Sequence, residues 1–186
     1  MTALTALWLP ILLSAVFVFI VSSIIHMAPL WHQNDYPMLQ KQDDIMDALR
    51  PMALPPGEYM LPRPQNMKEM RTPEFKEKFT RGPVLMMTVI PNASMSMGKP
   101  LGLWFVYILI TTVLSAHVAA AALPPGAVFA QICTIAGVTA FLAYAAALWQ
   151  DVIWYHRSVS ITAKSTIDAA IYAFITAATF AWLWPR

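Results

Sequence analysis

Three side chains around the end of the first apolar run are of types that bind metal: His26, His32 and Asp35. Neutral imidazoles and a carboxylate suit a first-row divalent ion, whose borderline character favours nitrogen and oxygen lone pairs. Their spacing argues against a shared site. Six residues separate the two histidines, a poor match to one face of a helix, and Pro29 stands between them. A di-histidine haem is not expected, because that arrangement needs paired histidines deep in the membrane and only His117 is placed there. His117, in the second apolar run, is expected to hydrogen-bond a neighbouring helix.

A second group of candidates lies far along the chain. Lys164 and Asp168 are four residues apart, and on a helix such a pair partly neutralises the carboxylate. An ionisable group at the membrane border is costly, so Asp168 is also a candidate proton or cation relay. Asp151 and His156 belong to Gln150-Asp151-Val152-Ile153-Trp154-Tyr155-His156-Arg157, a string suited to anchoring at lipid headgroups. Apart from Met1, the methionines all fall between Met27 and Met97, including Met67-x-x-Met70, Met86-Met87 and Met95-Ser96-Met97. Thioethers hold Cu(I), but their dispersion fits flexible packing better. Cys133, in an apolar run, reads as a small core residue. Asn92-Ala93-Ser94 matches a glycosylation triplet on the side expected to be cytoplasmic. The chain has no P-loop, nucleophile elbow, HExxH or dinucleotide fingerprint, so no catalytic residue and no cofactor is implied by motif.

The elements that must position these residues follow from composition. Hydrophobic residues make up 58% of the 186, charged residues only 12%, and the mean hydropathy is +0.55. Seventeen of the charged side chains lie between His32 and Pro100; the others are Asp151, Arg157, Lys164, Asp168 and Arg186. Such apolar stretches need lipid around them, which excludes a soluble globular protein and a nucleic-acid binder. Four segments reach spanning length: Leu7 to Ile25, Leu101 to Leu123, Ala127 to Leu148 and Ile167 to Trp184. The first lacks the basic start and cleavage site of a signal peptide and reads as a retained helix. Pro124-Pro125-Gly126 leaves room only for a tight hairpin between the second and third.

The expected fold is an all-α integral membrane protein with four transmembrane helices. Residues 1–31 hold the first helix, 32–100 a small, partly ordered α+β extramembrane segment, and 101–186 a three-helix bundle. Alanines at 169, 173, 177 and 181, and at 136, 140, 143 and 147, mark faces for close helix packing. The bulky first helix is expected at the bundle edge or against another subunit. Within 32–100, Asp43 to Arg50 predicts a short helix. A second helix starts at Thr72-Pro73-Glu74 and stops at Gly82, and a strand over Val84 to Ile90 has Tyr59-Met60-Leu61 as its partner.

Lys and Arg flank the first and third connections eleven to one over the other ends, which predicts N-out/C-out threading with residues 32–100 cytoplasmic. These features favour a non-catalytic accessory or structural subunit of a bacterial inner-membrane complex. It would associate with other membrane subunits, or with itself through the alanine faces, within the lipid bilayer. A small oligomeric transporter or channel and a metal-dependent membrane enzyme are the alternatives.

Overall fold

The computed structural model describes residues 2–28, 31–92 and 96–186. In chain order the elements are α1 (Trp8–Met27), α2 (Gln42–Leu49), β1 (Gly57–Leu61), α3 (Pro73–Arg81), β2 (Leu85–Val89), α4 (Gly98–Ala122), α5 (Phe129–Phe141), α6 (Leu148–Tyr155) and α7 (Val159–Trp182). The fold is mostly helical, with one two-stranded sheet. Among the described residues, three helical stretches are long and apolar enough to cross a membrane: Leu4–Met27, Gly98–Ala122 and Phe129–Tyr155. The helix α7 has 24 residues but is not among them, because Lys164, Asp168 and several threonines dilute its apolar character. It also starts at Val159, well before the expected Ile167, so Asp168 lies inside the helix rather than in its first turn.

The chain divides into two compact units, residues 1–37 with 96–186 and residues 38–95. In the larger, α5 packs most extensively on α7, and α1 packs on both α4 and α7. The first helix is therefore an integral member of the bundle. Ser14, Ala15 and Val18 on its inner face are fully buried, which corrects the expectation of a peripheral helix. Ala136, Ala140, Ala169, Ala173 and Ala177 are buried as their spacing predicts, but Ala143 and Ala147 are exposed. The cause is a π turn, Leu142–Ala146, that joins α5 to α6. Its extra residue per turn rotates the later face, and Tyr144 and Ala145 turn inward instead.

One end of this unit is stitched by backbone and side-chain bonds. Thr2 Oγ1 donates to Leu123 O at 2.9 Å, and Trp184 Nε1 donates to Pro124 O at 3.0 Å. The Gly126 amide donates to Pro185 O at 2.8 Å. The hairpin after α4 thus meets both ends of the chain, and Leu7, Phe180 and Trp184 share a core there with Ala116 and Ile132.

The smaller unit matches its sequence closely. The strands pair antiparallel, with Tyr59 opposite Met87 and Met60 opposite Met86. Thr72 Oγ1 accepts from the Phe75 amide at 3.2 Å, capping α3. Gly82, at φ 61°, ends that helix in a conformation other residues rarely adopt. The Asn92-Ala93-Ser94 triplet and Met95 fall wholly or partly outside the described residues.

Candidate functional site

Beyond the end of α1 the chain brings His32 and Asp35 against α7. His32 Nδ1 is 2.6 Å from Asp35 Oδ2, and His32 Nε2 is 2.8 Å from Asp168 Oδ2. The second oxygen of Asp35 accepts from Lys164 Nζ, which also donates to the Trp31 carbonyl. The order is therefore Lys164, Asp35, His32, Asp168: two cations and two anions in alternation when His32 is protonated. Asp35 and Asp168 are almost fully buried, with side chains 6% and 3% exposed. Buried carboxylates persist as ions only when paired in this way. The expected pair of Lys164 with Asp168 is not formed. Each finds a partner from the segment after α1, because α7 begins earlier than expected and turns Asp168 into the bundle.

The electrostatics follow from these contacts. Burial disfavours charge on His32, but its hydrogen bonds to Asp35 and Asp168 and their negative charges outweigh that cost, so its pKa is raised. The Lys164 hydrogen bond, and then the one from His32, hold Asp35 below its ordinary value. Trp31 Nε1 lies 2.9 Å from His32 Nε2 and donates to it whenever that nitrogen carries no proton. The proton between His32 and Asp168 can thus leave without stranding the ring nitrogen.

His26 completes the group. Its ring stacks on His32, with centroids 4.6 Å apart and planes 11° from parallel. Its Nδ1 donates to the Ser22 carbonyl at 3.0 Å, so in the neutral ring the lone pair is on Nε2. Among the described residues, His26, His32 and Asp168 are the histidine, cysteine or acidic side chains that could share an ion, each with a donor atom within 4.8 Å of the others. The expected set of His26, His32 and Asp35 is thus altered by one member. Asp168 takes the place facing the histidines, and Asp35 stands behind His32.

The other candidates lie elsewhere. His117 is exposed on the outer face of α4 rather than directed at a neighbouring helix. Asp151 and His156 are exposed on and just after α6, and His156 closes that helix in the left-handed conformation. No sequence pattern points to the buried aromatic group that begins one turn along α7 from Asp168. Tyr144 and Tyr172 rings meet edge to face at 5.6 Å, with Trp104 against both. Comparison with protein-family models, curated proteins and solved structures finds no match.

Proposed function

We propose that the protein is a four-span, non-catalytic accessory or structural subunit of a bacterial inner-membrane complex, threaded N-out/C-out. Support for α7 as the fourth span comes from its packing. Thr162, Asp168, Thr176 and Thr179 are buried, so its polar side chains face protein rather than lipid. In this reading the charged cluster is a clamp that fixes the chain leaving α1 to the body of the bundle.

The observation that carries the subunit reading is the surface of the 38–95 unit. Among its described residues only Phe75 is buried, while Ile45, Met46, Leu49, Met67, Leu85 and Met86 are exposed. Apolar side chains left exposed on so small a unit are available to a partner, and methionine adapts its shape to one. The alanine faces of α5 and α7 meet each other within the chain. The transporter alternative has less to draw on, because the Ser115, Thr176 and Thr179 hydroxyls bond carbonyls of their own helices. Purification of the full chain from native membranes in mild detergent tests the reading. A stoichiometric membrane partner is expected, and recovery only as a lone monomer would overturn it.

A further inference from the structure

We propose that His26, His32 and Asp168 bind one first-row divalent cation of the zinc type, with Asp35 holding His32 in the ligating orientation. This goes beyond the clamp, which leaves two features without a role. The first is Asp168 Oδ1, a buried carboxylate oxygen with no hydrogen-bond partner. An orphaned buried carboxylate oxygen is costly, and a cation is the group that would satisfy it. The second is His26, which bonds nothing in the clamp yet is stacked on His32 with its Nε2 free.

Both histidines carry the outer support typical of metal ligands. His26 Nδ1 is occupied by the Ser22 carbonyl and His32 Nδ1 by Asp35, whose other oxygen is fixed by Lys164. Acceptors on one ring nitrogen set the tautomer and offer the other nitrogen to the ion. Two imidazoles and one carboxylate favour zinc, iron or their neighbours over magnesium or calcium, which prefer oxygen alone, and leave further positions for water. Donors on a tetrahedral ion with ~2.0 Å bonds sit about 3.3 Å apart. The donor atoms here lie within 4.8 Å of one another, and the exposed His26 ring must turn out of its stack on His32 to aim Nε2 at the shared ion. Binding sends the proton shared by His32 and Asp168 to solvent, as metal binding to histidine requires, and the ion displaces Trp31 Nε1 from the single lone pair of His32 Nε2.

The full-length protein in detergent, stripped of metal, is titrated with Zn²⁺ by calorimetry and with Co²⁺ by its visible absorption. One ion per chain is expected. His26→Ala is the decisive variant, because His26 is exposed and, apart from its stack on His32, makes its hydrogen bond within its own helix. Metal affinity should fall at least tenfold while thermal unfolding of the metal-free protein is unchanged. Asp168→Asn should lower affinity by as much or more, and Asp35→Asn by about 10–100-fold. Absence of saturable binding by the unaltered protein, or equal binding by His26→Ala, would overturn the assignment whatever becomes of the subunit reading.

Discussion

Asp35 has both oxygens engaged, one by His32 and one by Lys164, so its burial depends on two residues that are themselves anchored. Lys164 is the more accessible of these, at 27% side-chain exposure, and it also satisfies the Trp31 carbonyl. Lys164→Met keeps the side-chain length and removes the donor, leaving Asp35 with an uncompensated oxygen. The expected loss is about 1–3 kcal/mol, the usual cost of stranding a buried polar group. Thermal unfolding in detergent followed by tryptophan fluorescence measures it, and an unchanged midpoint would contradict the clamp. Lys164 and Asp168 were legible as candidates because charge is so rare outside the central segment, and His26 and His32 because imidazoles flank the end of the first apolar run. Their pairing was not. Local spacing favoured Lys164 with Asp168, whereas the formed pairs join residues more than a hundred positions apart, and no i,i+4 rule reaches that far. Trp104 and Trp184 stand near the ends of apolar runs, where an indole commonly anchors at the membrane interface, yet they donate to Ser22 Oγ and the Pro124 carbonyl inside the protein.

Helices in this bundle meet through small residues, and one contact sets how closely α5 approaches α7. A Cβ placed on Gly137 would come 3.0 Å from the Ala177 Cβ and 3.7 Å from the Ala173 carbonyl oxygen. Gly137→Leu must therefore push the helices apart, an overpacking cost of roughly 1–3 kcal/mol. Gly102, near the start of α4, has nothing within 4 Å of such a Cβ. Gly102→Ala removes a flexible residue from a helix and should stabilise by about 0.5–1 kcal/mol. Unfolding of the two variants side by side separates close packing from a general dislike of substitution; a Gly137→Leu protein as stable as the parent would refute the tight crossing. Alanine spacing made this interface readable as far as Ala140. Beyond it the π turn shifts the register, and the Tyr107 hydroxyl takes up the Ala143 carbonyl at 2.9 Å. No composition signal marks such a turn, because it arises from how α5 and α6 fit against their neighbours. The small unit was more legible, since a threonine cap, a proline at the first turn and a glycine stop act locally.

At the scale of the molecule, the bonds among Thr2, the hairpin at Pro124–Gly126 and Pro185 put both ends of the chain beside the α4–α5 turn. An even number of crossings is required for that arrangement, and three apolar helices alone do not supply it. In the proposed four-span reading α7 supplies the fourth crossing, and its polar residues, which face the core, lower its averaged hydropathy. Which side the ends occupy then depends on charge. Eleven Lys and Arg flank the connections between α1 and α4 and between α6 and α7, against one at the opposite ends. Moving that charge outward would oppose the electrical gradient of an energised membrane. Reporter fusions at Arg186 and near Pro125 should therefore both read outside, and one near Gln65 should read inside. A fusion at Arg186 that reads on the same side as Gln65 would remove α7 as a span. The full reverse pattern would keep four spans but overturn the orientation, and would place the methionine-rich segment and the His26–Asp168 cluster on the outer face.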